Sequence, residues 1–228
     1  MRITHLWRYP VKSLAGEPLL QVELGRGGMP FDRRFIIRDG EATRKGHPLT
    51  ARLARDLLAY RARVDRSGVV VQAPDGGAHT VDDAFASHLA AALERPLSIE
   101  EAAPGSGPFH DAHEILVLSA ASLRALEDEW AKPLDPLRFR PNIMLDGDDL
   151  TPYMENDWVG RRFKCGNAIL EGVALDERCA MTTINPQTLE RDPSLLRLIV
   201  ERHEQCFGLY CSVRQAGKVA LGDEWMPL

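Results

Sequence analysis

The segment around Cys179 places a thiol beside a cation and two hydroxyls. Cys179 follows Arg178 directly, and Thr182 and Thr183 come shortly after it. A neighbouring guanidinium favours the thiolate, which is the form that ligates metals and attacks electrophiles. The threonine hydroxyls are candidate donors to an oxo group or a substrate oxyanion. Taken alone, the segment is compatible with a nucleophile, a metal ligand or an inert buried thiol.

Two further segments combine cations with polar groups near predicted strands. In the first, Lys12 and Ser13 follow a proline; a lysine point charge and a hydroxyl suit a phosphate group, and the alternative is a solvated loop. In the second, Arg138, Arg140 and Asn142 lie at a predicted strand start, where alternation puts both arginines on one face. Asn142 offers a donor and an acceptor, although an asparagine beside a turn is also ordinary.

Adjacent cations open another apolar strand, in the segment FDRRF at residues 31–35. Neighbours on a strand face opposite sides, so one of Arg33 and Arg34 is expected to point inward while the other meets solvent. An inward arginine needs an anion. The alternative is a surface ion pair between Asp32 and an arginine.

Composition excludes several classes of protein. A net charge of −5 over 228 residues disfavours a nucleic-acid binder, which needs an excess of Lys and Arg. The chain has no apolar run of about 18 residues and no signal-peptide pattern, so we expect a cytoplasmic protein without a membrane partner. The four cysteines, at 165, 179, 206 and 211, form no CxxC pair and no zinc-type spacing with histidine.

Hydrophobic patterning predicts a β-rich first half. Asp82 is expected to cap a helix that carries Phe85, Leu89 and Leu93 and ends before Pro96. Short runs rich in β-branched and large apolar residues predict strands at 3–9, 19–24, 34–38, 57–64, 69–72 and 97–99.

The second half combines strands with two further helices. Ser119 is expected to cap one helix, and Asp192 another over residues 193–203, with Pro193 at its first position. Predicted strands lie at 115–118, 139–145, 162–165 and 169–175, with two more around the turn at 216–217.

These patterns predict a mixed α+β, strand-rich fold, whose antiparallel or mixed sheet closes towards a barrel. The run AAPGSGP at residues 102–108 is the best linker candidate. We therefore place a boundary at residue 105, with a β-rich domain over 1–105 and a second domain over 106–228. The two domains are expected to pack together.

Taken in order, the motifs YPVKSL, FDRRF, FRPNI, ERCAMTTINP, GLYCSV and VALGDEW resemble the MOSC family. The resemblance spans nearly the whole chain and includes the N-terminal β-rich domain of that family. Within the family, the chain is most similar in character to reductases of amidoximes and other N-hydroxylated compounds. The resemblance implies an N-terminal β-rich domain packed on a C-terminal MOSC β-barrel-like domain with a few helices.

The resemblance also implies a molybdenum cofactor, in which molybdopterin binds molybdenum through two dithiolene sulfurs. By motif matching, Cys179 is the metal ligand and the catalytic residue. A soft thiolate suits a metal that is already bound by sulfur. The implied cofactor-binding residues are Lys12, Ser13, Arg33, Arg140, Asn142, Arg178 and Tyr210.

The implied activity is the two-electron reduction of a small N-hydroxylated or N-oxygenated substrate, independent of pyridoxal phosphate. No iron–sulfur segment is recognisable in the chain, so the expected electron donor is a separate protein of ferredoxin, flavodoxin or cytochrome type with its reductase. One alternative is a sulfur carrier with a persulfide on Cys179. Another is a protein that binds or delivers the cofactor without turnover; metal content and turnover distinguish the three.

Overall fold

A computed structural model describes residues 1–103 and 106–228, so the predicted boundary at residue 105 lies outside the described residues. The chain folds into two compact units, each built from separate segments of sequence. The larger unit comprises residues 1–7, 18–30 and 111–228, and the smaller unit comprises residues 8–17 and 31–110.

Strands dominate both units, as the sequence predicts for a mixed α+β, strand-rich fold. Three α-helices are described: α1 (Asp83–Ala92), α2 (Ala120–Trp130) and α3 (Pro193–Arg202). The described strands are β1 (Arg2–Arg8), β2 (Glu17–Leu19), β3 (Gln21–Leu24), β4 (Phe35–Asp39), β5 (Arg61–Asp65), β6 (Gly68–Gln72), β7 (Ala78–Thr80), β8 (Leu97–Glu101), β9 (Ile115–Ser119), β10 (Ile143–Asp146), β11 (Arg162–Cys165), β12 (Ala168–Glu177), β13 (Cys206–Gln215), β14 (Gly217–Ala220) and β15 (Trp225–Pro227).

The larger unit is built around an eight-stranded sheet in the order β15-β11-β12-β13-β9-β10-β1-β2. The sheet is mixed, as expected, because β9 and β10 pair in parallel whereas β12 and β13 pair antiparallel. Every residue of β9 is buried, which explains its uninterrupted apolar sequence. The buried rings of Trp158, Phe163 and Trp225 pack in series, with neighbouring centroids 4.9 and 5.1 Å apart.

The smaller unit contains two small antiparallel sheets, β4-β8 and β5-β6-β7, together with α1. The Asp82 side chain accepts a hydrogen bond from the Phe85 N–H at 3.0 Å. Phe85, Ala86 and Leu89 form the buried face of the helix. The predicted cap is therefore confirmed, and so is the apolar face at Phe85 and Leu89, whereas Leu93 lies at the C-cap and is only half-buried.

The two helices of the larger unit begin where the sequence predicts. Ser119 caps α2 by accepting from the Ser122 N–H at 3.3 Å. Asp192 caps α3 by accepting from the Ser194 N–H at 2.9 Å, with Pro193 in the first turn. Each start is specified by a residue whose side chain replaces a missing intrahelical acceptor.

Three predicted strands are wrong in extent. The start of the segment 57–64 belongs instead to a 3-10 helix at Arg55–Ala59. Leu57 and Leu58 are both buried there, whereas successive residues of a strand with one buried face point to opposite sides. The segment 19–24 divides at Leu20, which is 79% exposed, into β2 and β3. The predicted strand 139–145 reduces to β10.

No helix within residues 1–103 and 106–228 combines the length and apolar character that a membrane crossing requires.

Candidate functional site

Cys179 lies where one of the two longest strands gives way to a short helix. β12 ends at Glu177, and a 3-10 helix over Ala180–Thr183 begins directly after Cys179. The backbone of Cys179 is extended, with φ −123° and ψ −179°. Its thiol is free and partly exposed. The predicted position of Cys179 just after a strand is confirmed.

Residues 179–183, called the cysteine turn below, are held by their own threonines. The Thr182 N–H and hydroxyl both donate to the Cys179 carbonyl, at 3.0 and 2.5 Å. The Thr183 hydroxyl donates to the Ala180 carbonyl at 2.7 Å. In this structure each hydroxyl that is expected to donate to a ligand donates to the carbonyl three residues back, because the 3-10 turn places that carbonyl beside it.

Arg178 is a buried cation at the end of β12. Its Nη1 forms an ion pair with Asp176, and its Nη2 donates to the Phe139 carbonyl at 3.0 Å. The guanidinium also lies over the Phe139 ring, 5.1 Å from the centroid. Its Nε is buried and has no hydrogen-bond partner among the described residues. Arg178 therefore anchors the end of β12.

The other three thiols lie in surroundings that disfavour the thiolate. Burial raises the pKa of Cys165 to about 12 and also raises the pKa of Cys211. The pKa of Cys206 is raised by burial first and then by the carboxylate of Glu177, which lies opposite it across the β12–β13 ladder. Cys179 is therefore the thiol best placed to act as a ligand.

The segment carrying Arg140 is a turn and not the strand that the sequence predicts. A 3-10 helix spans Pro136–Arg138, and β10 begins only at Ile143. Arg140 has a left-handed backbone, with φ 56°. The prediction that Arg138 and Arg140 share a strand face is wrong, because the left-handed residue interrupts the extended backbone.

Asn142 is buried and bridges two strands of the larger unit. Its side-chain oxygen accepts from the Leu116 N–H at 3.1 Å, and its amide donates to the Trp7 carbonyl at 3.2 Å. Asn142 thus fixes the segment that follows Arg140.

Tyr210, another predicted cofactor contact, lies half-buried on β13, with its ring 5.6 Å from that of His113.

In the smaller unit, Lys12 and Ser13 occupy an ordered turn after β1. The Lys12 ammonium donates to the Phe109 carbonyl at 3.0 Å. Ser13 is 6% exposed and has φ 72°. The solvated-loop alternative is therefore wrong for Ser13.

Arg33 also lies in a turn and not on the strand that the sequence predicts. Its φ is 49°, and β4 begins two residues later, at Phe35. The argument from strand alternation therefore does not apply to Arg33. Its guanidinium lies over the Tyr9 ring, 4.6 Å from the centroid. Arg34 instead pairs with Glu101 on β8, at 3.0 Å.

Asp32 is a buried partner of Arg33 that the predicted site omits. Its side chain is fully buried, forms an ion pair with Arg33 and accepts from the Tyr9 N–H at 2.7 Å. His110 Nε2 lies 3.7 Å from Asp32 Oδ2, the same oxygen that pairs with Arg33. The ion pair expected as an alternative to an inward arginine exists, but it is buried rather than at the surface.

Arg138 was also missed, although it lies in the same motif as Arg140. It is 5% exposed, and its Nη1 donates to the Thr182 carbonyl of the cysteine turn at 3.2 Å. The signal in the sequence was the pairing of arginines around Phe139. The strand-alternation argument placed these two arginines on an extended strand, whereas Arg138 ends a 3-10 helix and Arg140 has a left-handed backbone.

Three predicted cofactor-binding residues share a left-handed backbone. They are Ser13, Arg33 and Arg140, with φ values of 72°, 49° and 56°. This conformation costs a non-glycine residue about 1–2 kcal/mol. Such strain is concentrated at functional sites, where surrounding structure holds the residue in place.

The side chains at Cys179 fit a metal whose other ligands belong to a cofactor. The described residues contain no group of three or more His, Cys, Asp or Glu side chains that could hold a metal ion. Among the described residues, Cys179 therefore does not belong to such a protein-built metal cluster, which fits a metal whose other ligands are supplied by a cofactor. A single free and partly exposed thiol, as at Cys179, suits a metal that is already bound by sulfur.

Family comparisons cover nearly the whole chain. The MOSC domain family model matches residues 104–225, and the MOSC N-terminal beta barrel domain family model matches residues 1–103. Among solved structures, the YUAD protein from Bacillus subtilis has a TM-score of 0.54 at 15% identity, covering 98% of this chain and 93% of that one. That likeness shows a shared fold.

Relatives with assigned names fall into two groups. The chain is 26% identical to mitochondrial amidoxime-reducing component 1 of Homo sapiens, over 97% of this chain and 81% of the relative. It is 27% identical to molybdenum cofactor sulfurase of Caenorhabditis elegans, over 91% of this chain and 33% of the relative. One name concerns the reduction of amidoximes and the other concerns the molybdenum cofactor.

Proposed function

This chain belongs to the MOSC family, and on that premise we propose that it is a molybdenum-cofactor-dependent reductase of N-hydroxylated or N-oxygenated compounds. The similarity to the human amidoxime-reducing component supports this choice, because it extends over most of both chains. The similarity to the sulfurase covers a third of that relative.

The observation that carries the proposal is the setting of Cys179. It combines partial exposure, a position directly after a strand and a turn held by threonine hydrogen bonds to main-chain carbonyls. The other three thiols have raised pKa values. A metal ligand must be reachable as well as deprotonated; the raised pKa values count against the other three thiols, and Cys179 is free and partly exposed.

We assign the remaining residues to binding and support. Lys12, Arg33 and Arg140 supply cations, and Ser13 and Tyr210 supply hydroxyls, for the phosphate and pterin of the cofactor. Two residues act mainly on the protein itself. Arg178 contacts Asp176 and Phe139. Asn142 contacts Leu116 and Trp7.

When bound, the cofactor would supply a metal centre for two-electron reduction of the substrate. The N–O bond of the substrate breaks, two protons are consumed, and the products are water and the reduced nitrogen compound. The protein contributes orientation and electrostatics. We propose that the electrons come from a separate ferredoxin-, flavodoxin- or cytochrome-type protein with its reductase.

The test is metal and pterin analysis of the full chain from a cofactor-competent host, followed by turnover of a model amidoxime with a chemical reductant. We expect about one molybdenum and one pterin per chain and release of the amidine. Bound cofactor without turnover of any N-hydroxylated compound would contradict the proposal and favour a delivery protein.

The similarity to a molybdenum cofactor sulfurase favours a second candidate, a sulfur carrier with a persulfide on Cys179. A carrier requires no bound molybdenum. Mass spectrometry separates the two, since a persulfide adds one sulfur atom to Cys179 and is removed by a thiol reductant.

A further inference from the structure

We propose that Arg138 is a positioning residue for Cys179, holding the cysteine turn through the carbonyl of Thr182. The inference rests on the proposed role of Cys179 as the metal ligand. It adds a residue that motif matching to the family did not select.

A short chain of hydrogen bonds joins the two residues. Arg138 Nη1 donates to the Thr182 carbonyl at 3.2 Å, and Thr182 donates twice to the Cys179 carbonyl. The Asp192 N–H donates to the adjoining Thr183 carbonyl at 2.8 Å. The cysteine turn is therefore held from outside at two successive carbonyls, one by Arg138 and one by the start of α3.

Arg138 makes this contact as a buried cation without an ion pair. No carboxylate of the described residues contacts its guanidinium, and its Nε has no hydrogen-bond partner there. The carboxylates of Asp135 and Asp192 act on its charge without forming an ion pair with it. Burial accordingly lowers the pKa of Arg138.

Packing alone does not account for an arginine at this position. The guanidinium lies over the Trp130 ring, 5.3 Å from the centroid. A methionine would cover the same ring without the cost of burying a charge. What the guanidinium adds is a charge-assisted hydrogen bond to Thr182, which fixes the backbone that presents the Cys179 side chain.

Hydrogen exchange of the full chain tests the contact without reference to activity. In Arg138→Met, a peptide covering residues 179–184 should exchange at least about tenfold faster, the effect of losing one charge-assisted hydrogen bond. Peptides from β9 and α2 should be unchanged. Arg138→Lys, which keeps a cationic donor, should restore most of the protection, and it remains informative if Arg138→Met does not fold.

Molybdenum and pterin content, measured on the same preparations, tests the consequence. Arg138→Met should lose cofactor, and Arg138→Lys should recover it. Arg124→Met is the matched control, because Arg124 is 63% exposed and pairs with Asp146 at the surface; it should match wild type in both measurements.

Wild-type exchange in Arg138→Met would overturn the proposal. Faster exchange with wild-type cofactor content would also overturn it, since the turn would then not need to be held for binding. A wild-type protein that takes up no molybdenum would count against the proposed function instead, and the exchange comparison would still decide whether Arg138 holds the turn.

Discussion

Thr182 and Cys179 are joined through the main chain of the cysteine: the Thr182 N–H and hydroxyl both donate to the Cys179 carbonyl, at 3.0 and 2.5 Å. No hydrogen bond to the Cys179 sulfur is found among the described residues. The turn therefore does not depend on the sulfur for its shape. A change of the sulfur tests ligation separately from folding.

Cys179→Ser should abolish reduction of a model amidoxime, because a hydroxyl does not replace a soft thiolate ligand. Circular dichroism and the unfolding midpoint should stay at wild-type values, since the bonds of the turn are retained. Turnover and bound molybdenum are the measurements. More than a small fraction of wild-type turnover at full metal loading would contradict the ligand assignment.

Replacing Cys165, Cys206 and Cys211 together by alanine should leave turnover per bound molybdenum near the wild-type value. Cys165 and Cys211 are fully buried in the core of the larger unit, so urea unfolding should show a loss of about 1 kcal/mol for each of these two thiols. Cys206 is less buried and should contribute less. If turnover per metal collapsed while the fold survived, one of these cysteines would have to take part in the chemistry.

Lys12→Ala, Arg33→Ala and Arg140→Ala should each purify with less molybdenum and pterin, lost in equal proportion. Each change removes a charge-assisted hydrogen bond, worth about 1.5–3 kcal/mol, or roughly tenfold or more in affinity. Elemental analysis and pterin oxidation give the contents.

Two variants control for that series. Arg34→Ala removes an arginine that pairs with Glu101 and should keep its cofactor. Asp32→Asn keeps the cation of Arg33 but removes its buried ion-pair partner, so it separates misplacement of Arg33 from loss of its charge. Cofactor loss in Arg34→Ala without loss in Arg33→Ala would reverse the assignment.

Asp192→Asn should remove a pH-dependent part of the stability. Hydrogen bonds from Lys132 and then Ser194 lower the pKa of Asp192 from 3.8 to about 2. A lowered folded-state pKa stabilises the protein above the unfolded value, and that contribution disappears as pH falls through the folded value. The side chain is 32% exposed, so solvent screening reduces the effect to about 1 kcal/mol.

Urea unfolding at pH 7 and at pH 2 measures this contribution. At pH 7 Asp192→Asn should be less stable than wild type, and at pH 2 the two should converge. The exposed Asp148→Asn is the control and should track wild type at both values. A constant difference across this range would show that the cap, and not the charge, is responsible.

The helices could be predicted from the sequence because their signals are local. Asp82, Ser119 and Asp192 each accept from an N–H two or three residues ahead, so cap and helix start lie within one turn of chain. The short strands β7 and β15 were missed, because three residues are too few to show an alternating pattern. β15 also depends on a partner distant in sequence, β11, whereas β7 pairs with the preceding strand β6.

The candidate site was predictable in its residue types but not in its geometry. The motifs selected Arg33 and Arg140, yet strand alternation placed both on extended backbone. Both have positive φ, which short-range patterns do not reveal for residues other than glycine. Arg138 and Asp32 were missed for a related reason: their roles arise from partners that tertiary packing brings to them.

At Ser13, Arg33 and Arg140, which have left-handed backbones, the substitutions that raise stability are expected to weaken cofactor binding. Glycine adopts this conformation without the steric penalty, and asparagine adopts it more readily than most residues. A library of variants selected for heat resistance alone would therefore gain from Gly or Asn at these three positions. Under that selection the chain would lose two cations and a hydroxyl that we assign to cofactor binding, so a durable catalyst requires selection for turnover in the same round.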